Sequence, residues 1–219
     1  MKREAPIQNV IDAAISGAAK DIYTCIPGYI VAFDPATQRA QVQIGIQRVQ
    51  NDGTTFDPPV IVDVPVTFPG DGYTVEYQIN PGCEGSIHFS QRCIDGWKQT
   101  GGVAVNPVAR FHHPQDAFFI PGIRSLGKVI PGFANNGLRL RNATGTQSVW
   151  LKNDGSCIMA NGNGSIQLLA NGDVNINGTI IKAGTGNVTV ATSLNVAGKE
   201  IANHVHRVNG TNQNSGPNL

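Results

Sequence analysis

The sequence predicts an all-β protein in which one N-terminal helix precedes a small barrel and a long β shaft. The first observation is composition: 26 glycines, 6% aromatic residues and 14% charged residues among 219 positions are typical of short strands joined by tight turns. The second is a series of alternating apolar and polar residues between positions 25 and 120. The third is a run of turn signals that recurs from about residue 142 onward and indicates a repetitive shaft.

Charge and cysteine content argue against several classes of protein. The formal net charge of +1 lacks the basic excess of a nucleic-acid-binding protein. No run of about 20 apolar residues is available to span a bilayer, and polar residues interrupt the N terminus where a signal peptide needs an apolar block. The cysteines lack a CxxC pair, which indicates free thiols in a reducing cytosol, with a Cys83–Cys93 disulfide as the alternative. They are Cys25, Cys83, Cys93 and Cys157.

Residues 5–23 are predicted to form the helix, within an N-terminal arm that covers residues 1–24. Pro6 suits a first helical position because its missing N–H has no partner there in any case. Apolar residues follow at three- and four-residue spacing and form a narrow stripe. They are Ile7, Ile11, Ala14, Ile15, Ala18 and Ile22. The helix therefore either packs on its own domain or is an arm that docks on sister chains or on a larger hub.

Residues 25–120 are predicted to form a five-stranded antiparallel barrel of the OB type. Short alternating segments separated by Gly- and Pro-containing turns are the usual signature of such a barrel. The predicted strands cover residues 29–33, 39–46, 60–66, 74–79 and 85–89. The segment lacks the basic groove with interleaved aromatic residues that single-stranded nucleic acid requires. We therefore expect a scaffold rather than a nucleic-acid-binding domain.

Residues 121–141 are predicted to be a connector, and residues 142–203 the shaft. Turns such as Asn171-Gly172-Asp173 separate short β-rich pieces at 166–168, 174–176, 188–190 and 194–196. Each piece places two apolar residues on one face, and a piece this short cannot bury that face alone. Two apolar positions per strand suit three intertwined chains that each contribute one wall of a thin prism. The paired strand edges of such a prism would resist bending.

His204 and His206 lie at the start of the predicted apex, residues 204–219. Residues two apart on a strand point to the same face, so both imidazoles would project together. Three chains would bring six imidazoles to one axis, enough for a closed octahedral site that holds one metal ion and is structural rather than catalytic. Ligand type alone permits iron, nickel, copper or zinc.

Two blocks of sequence resemble the central baseplate spike of contractile-tail phages. The first runs from Val62-Asp63-Val64-Pro65-Val66 through Arg92-Cys93-Ile94-Asp95-Gly96-Trp97 to Asp116-Ala117-Phe118-Phe119-Ile120-Pro121-Gly122. The second is the C-terminal half with His204-Val205-His206, which is similar to the apical iron motif of that family. The resemblance implies an OB-fold domain at the tail-tube end, an intertwined triple-stranded β-helix and iron at the tip. The lysozyme-like insert of some larger relatives is absent from this sequence.

The resemblance implies a homotrimeric spike that pierces the host outer membrane when the tail sheath contracts. It also implies contacts with baseplate hub or tail-tube proteins, synthesis in the host cytoplasm and a place at the baseplate tip of the virion. Phage-derived bacteriocins and secretion devices contain a similar spike, so the spike of such a device is an alternative. Two further hypotheses are a receptor-binding tail fibre and a polysaccharide-degrading tailspike.

No catalytic residues are predicted, and we expect the protein not to be an enzyme. The sequence has no GxSxG, HExxH or phosphate-loop motif, and its carboxylates are too dispersed to nominate a glycosidase pair. No cofactor-binding residues are predicted besides the histidine pair. His88, His112 and His113 are expected to be structural, because adjacent residues on a strand point to opposite faces.

Overall fold

The computed structural model describes residues 6–50, 52–184, 188–189, 195–196 and 199–200. It divides into two compact units, residues 1–129 and residues 130–219. Its few helices and many strands confirm the all-β class. His204 and His206, with the rest of the predicted apex, lie outside the described residues.

The N-terminal helix, α1, spans Ile7–Lys20 and is shorter at both ends than the predicted range 5–23. Pro6 precedes the helix instead of occupying its first position. None of the helical residues is buried, and Ile7 and Ile15 are 79% and 63% exposed. The apolar stripe therefore finds no partner among the described residues of its own chain.

Five strands of the first unit form one curled antiparallel sheet. These are β1 (Cys25–Asp34), β2 (Arg39–Ile44), β5 (Ile61–Pro65), β6 (Glu84–Phe89) and β7 (Ala117–Pro121), in the order β5-β2-β1-β6-β7. A small hairpin, β3 (Arg48–Val49) with β4 (Thr55–Phe56), projects between β2 and β5 in the chain. The edges of the sheet meet where Val66 forms a parallel bridge with Phe119. This is the partly open five-stranded barrel that the sequence predicts.

Strand alternation places the apolar residues of the barrel in one core. Ile30, Val42, Val64 and Phe119 are almost completely buried. Neighbouring backbones approach closely at Gly85, where an added Cβ would lie 2.6 Å from the Phe119 ring. The interior of the barrel is therefore filled by packed side chains and does not form a ligand cavity.

The strand predicted at residues 74–79 is wrong, because this segment has no ladder partner. Only an isolated bridge between Gly70 and Thr74 forms there. The segment is held instead by side chains, with the Tyr77 hydroxyl donating to the Thr67 carbonyl and Ile79 buried in the core. The fifth barrel strand is β7, which pairs with β6 along its whole length.

The second unit is a single antiparallel meander in which each strand pairs with the next along the chain. Its strands are β8 (Gly137–Arg141), β9 (Ser148–Lys152), β10 (Cys157–Asn161), β11 (Gly164–Leu168), β12 (Val174–Ile176), β13 (Thr179–Ile181) and β14 (Val188–Thr189). β15 (Asn195–Val196) and β16 (Lys199–Glu200) form a separate pair.

Two features of this meander differ from the sequence-based expectation. Strand β8 falls inside residues 121–141, the stretch assigned to the connector. The strands also pair within one chain, whereas the expected shaft is woven from several chains. A wall built from one chain is still what each copy would contribute to a three-walled prism.

Candidate functional site

The meander of the second unit has one face composed almost entirely of apolar residues. Leu138 lies opposite Leu151 and Met159 opposite both Val149 and Ile166, so the register brings apolar side chains together across the strands. We call this surface the apolar face. It comprises Leu138, Leu140, Val149, Leu151, Cys157, Met159, Ile166, Leu168, Val174, Ile176, Thr179 and Ile181.

The apolar face has no cover within the described part of the second unit. Leu138 is 64% exposed and Met159 57% exposed. Ser156 and Asp173 are the only buried residues among those described after Ile130, and both are polar. A one-layer sheet cannot form a core, because burial of apolar area needs a second layer. The face is therefore an exposed apolar surface in the described part of this unit.

The opposite face of the same sheet is the more polar one, although Ile158, Ala160 and Ile180 also lie on it, and it carries a basic, aromatic patch at its start. Arg139 lies directly across from Trp150, with its guanidinium carbon 4.7 Å from the centroid of the indole. The ammonium of Lys152, two residues along the strand, lies 5.4 Å from the same centroid. Arg141 also lies on this face, but its nitrogens donate to the carbonyls of the surrounding loops.

Carboxylates fix two corners of the meander. Asp154 accepts hydrogen bonds from the Ser156 hydroxyl and amide, which lowers the pKa of Asp154 to about 2 with help from Lys152. The buried Asp173 carboxylate accepts from the Lys182 ammonium at 2.7 Å and from the Ala183 amide at 2.9 Å. The Lys182 hydrogen bond is the main reason that the pKa of Asp173 lies below its usual value. These residues keep the corners in place and leave the apolar face free of charge.

A cluster of possible metal ligands in the first unit is filled by an arginine. Ligand atoms of Cys93, Asp95 and Asp116 lie within 4.8 Å of one another. The Arg110 guanidinium donates to Asp116 at 2.8 Å and to Asp95 at 2.7 Å, and it contacts the Cys93 sulfur at 3.1 Å. The guanidinium already supplies the positive charge that a metal ion would bring. We therefore assign the cluster a structural role.

Each of the three described histidines contacts its own set of neighbouring groups. His88 contacts the Ser86 hydroxyl and the Cys25 sulfur, both on neighbouring positions of the barrel sheet. The His112 ring lies 3.0 Å from the Tyr23 carbonyl, and the His113 ring accepts from the Gln115 amide. Each ring is engaged locally, and among the described residues they form no shared site. The four cysteines are free, as the sequence predicts.

A concavity of about 650 Å³ on the barrel unit contains charges of opposite sign close to one another. The Asp63 carboxylate lies 3.2 Å from the Lys98 ammonium and 3.8 Å from Arg39 Nε. Arg39 also donates to the Lys98 carbonyl. The Thr37 hydroxyl, also in the lining, donates to the Asp34 carboxylate at 2.7 Å, and the same carboxylate accepts from the Ala36 amide in the turn between β1 and β2.

None of the described helices combines the length and the apolarity that crossing a bilayer requires.

Residues 26–122 match the model of a family described as the N-terminal domain of phage protein Gp138. The matched segment begins in β1 and ends one residue after β7, so it coincides with the barrel. No curated protein shows significant similarity to the chain. This segment of the chain is thus similar to a phage protein domain. The match supports a structural, tail- or baseplate-related role and a place in the virion.

Proposed function

We propose that three copies of this chain assemble into a narrow spike at the distal tip of a contractile phage tail, where it punctures the host outer membrane during injection. One observation carries the proposal: the second unit presents a complete apolar face that the described residues of this unit leave uncovered. Copies of the same face are the natural cover, since none of its residues carries a charge that would oppose self-association. The similarity of residues 26–122 to a phage protein domain supports a role in a phage particle.

The dimensions of the sheet suit a thin, tapering shaft. Strands β8 to β11 contain five residues each, and β12 and β13 contain three. At about 3.4 Å per residue the wall narrows from about 17 Å to about 10 Å toward the C terminus. Three such walls, with their apolar faces turned inward, would form a prism with a dry interior. A narrowing prism concentrates force at its end.

The N-terminal helix supports attachment of this spike to other proteins. An isolated helix of 14 residues is marginal in water, and α1 buries none of its residues. Its exposed stripe therefore favours the docking arm over the helix that packs on its own barrel. Baseplate hub or tail-tube proteins, or sister chains, are the partners that we propose for it.

The proposed apex holds one metal ion through His204 and His206 of each chain. Six neutral imidazoles would clamp three chain ends that would otherwise fray. The identity of the metal as iron rests on the resemblance of the His-x-His motif to that of phage spikes. The site would contribute to assembly and stability, and we propose no enzymatic activity for the protein.

Solution mass and metal analysis of the purified full chain test the proposal together. We expect a mass of three chains and about one metal ion per three chains, because two imidazoles per chain make a closed site only as a set of six. The double variant His204→Ala/His206→Ala should lose the metal, whereas His113→Ala, whose ring is engaged locally in the barrel, should keep it.

A folded monomer, or a dimer that covers the apolar face as a two-sheet sandwich, would contradict the spike. A trimer that binds no metal would leave the shaft in place and remove only the proposed clamp.

A further inference from the structure

We infer that the polar face of the second unit carries a binding site for a phosphate group, formed by Arg139, Trp150 and Lys152. The site lies on the side of the sheet opposite to the apolar face. It is contained in a single chain, so it depends neither on the trimer nor on the metal site.

Two cations share one indole ring in this site. The Arg139 guanidinium and the Lys152 ammonium lie 4.7 Å and 5.4 Å from the Trp150 ring centroid. Each is attracted by the ring, but two positive charges held this close to one ring also repel each other. In the described part of the chain, Asp154, 3.1 Å from Lys152, is the one carboxylate paired with these two cations, and its side chain is 56% exposed. An anion would therefore be attracted to the patch.

Hydrogen-bond donors without acceptors point to the same kind of ligand. Among the described residues, the side-chain nitrogens Arg139 Nε and Trp150 Nε1 are buried and have no acceptor. One terminal nitrogen of Arg139, Nη2, is engaged, since it donates to the Gly145 carbonyl at 3.1 Å and to the Ser148 hydroxyl at 3.4 Å. A buried donor without an acceptor destabilises the fold, because it has lost its hydrogen bonds to water. A ligand rich in acceptor oxygens would satisfy these donors.

A phosphate group fits this chemistry better than a neutral ligand. It has several acceptor oxygens and a negative charge, and the planar guanidinium fork is suited to binding it. The flexible Lys152 side chain covers one side of the indole and can move to admit the ligand. A tryptophan flanked by basic residues is also the composition found where proteins meet the headgroup layer of a membrane. The phosphate could thus belong to a lipid headgroup or to a soluble ester.

The fluorescence of Trp150 provides a direct test. The sequence contains two tryptophans, so a Trp97→Phe background leaves Trp150 as the only indole. This protein is titrated with phosphatidylcholine vesicles that contain phosphatidylglycerol, with pure phosphatidylcholine vesicles and with inorganic phosphate. We expect a change in Trp150 emission with the anionic vesicles or with phosphate, and none with the neutral vesicles.

Charge-removing variants distinguish the site from general attraction. Arg139→Gln and Lys152→Gln should each weaken the interaction by about tenfold or more, because each removes a charge-assisted hydrogen bond. Arg92→Gln removes the same charge from an exposed residue of the barrel unit and should leave affinity unchanged. Lys152→Gln changes only a partly exposed side chain, so it remains informative if Arg139→Gln fails to fold.

The arms of the titration identify the source of the phosphate. Binding to anionic vesicles that free phosphate does not displace assigns the site to lipid headgroups. Displacement by free phosphate, with the same loss in the variants, assigns it to soluble phosphate esters. Equal binding to neutral vesicles, an equal loss in Arg92→Gln, or no response to any probe would overturn the inference.

Discussion

Arg110 organises the long segment that connects β6 with β7. Its guanidinium contacts both oxygens of Asp116 and one oxygen of Asp95, while Asp116 also accepts from the Ile94 amide. Asp116 is completely buried, whereas the side chain of Asp95 is 43% exposed. One arginine therefore takes part in a buried ion pair and an exposed one, whose contributions to stability should differ strongly.

Asp116→Asn is expected to lower the free energy of unfolding of the barrel by about 3 kcal/mol, because it removes the buried charged partner of a largely buried guanidinium and leaves only the exposed Asp95. Asp95→Asn is expected to lower it by less than about 1 kcal/mol, since water screens the exposed pair. Urea denaturation followed by circular dichroism measures both values. Equal effects of the two substitutions would show that the burial of Asp116 does not matter.

The pH dependence of stability should follow the same carboxylate. Burial by itself raises the pKa of Asp116, but the hydrogen bonds from Arg110 and Ile94 and the charge of Arg110 outweigh it, so the pKa lies below its usual value of 3.8. A carboxyl with a lowered pKa stabilises the fold above its usual pKa, and this contribution is lost as the pH falls through the folded-state pKa.

We therefore expect the stability difference between the native chain and Asp116→Asn to be constant above about pH 5 and to shrink below about pH 4. Urea denaturation of both proteins at several pH values measures this difference. A difference that grows on acidification would mean that the pKa of Asp116 is raised.

At the scale of elements, two neighbouring residues of strand β11 lie on opposite faces of the meander and allow the two faces to be compared. Ile166 lies opposite Met159 and Ile176 on the apolar face, while the adjacent Gln167 lies opposite Ile158 and Asn175 on the other. The two residues share a strand and a backbone environment. Only the direction of the side chain differs between them.

Ile166→Lys should therefore abolish assembly of the proposed trimer, because it would place three ammonium groups inside a dry interior. Gln167→Lys should leave the trimer intact, since its side chain remains on the outer face. Sedimentation equilibrium of both variants measures the outcome. Dissociation of both, or of neither, would refute the assignment of the apolar face as the interface.

For the whole molecule, the two units should differ in how their stability depends on protein concentration. The barrel has its own buried core, whereas the described part of the second unit has no buried apolar residue. A structure that folds only on association becomes more stable as concentration rises. Each unit contains one tryptophan, Trp97 in the first and Trp150 in the second, so the two can be followed separately.

In a Trp97→Phe variant, the thermal midpoint reported by Trp150 should rise by several degrees for each tenfold increase in protein concentration. In a Trp150→Phe variant, the midpoint reported by Trp97 should be nearly constant. Fluorescence-detected melting over a hundredfold range of concentration measures both. A concentration-independent Trp150 transition would mean that the second unit folds without a partner.

Several local features were predictable because they depend on neighbours in sequence. Alternation placed β2, β6 and β12 close to their observed positions, and spaced apolar residues placed α1 to within a few residues of its ends. Leu138 and Leu140, and likewise Val149 and Leu151, are apolar residues two apart, which is the spacing that indicates β8 and β9. The glycine- and threonine-rich flanks obscured this pattern. His204 and His206 remain a prediction, because they lie outside the described residues.

The sequence by itself determined the strand-rich class, the helix at the start and the change from the barrel to a second half with recurrent short strands and turns, because each follows from spacing within a few residues. Only the tertiary structure decided which segments obtained ladder partners. Residues 75–79 alternate as well as any strand, yet β7 occupies the sheet edge instead. The tertiary structure also decided that Arg110 pairs with Asp116 and that the apolar face is exposed in the described part of the second unit. Both depend on how segments distant in sequence are packed in space.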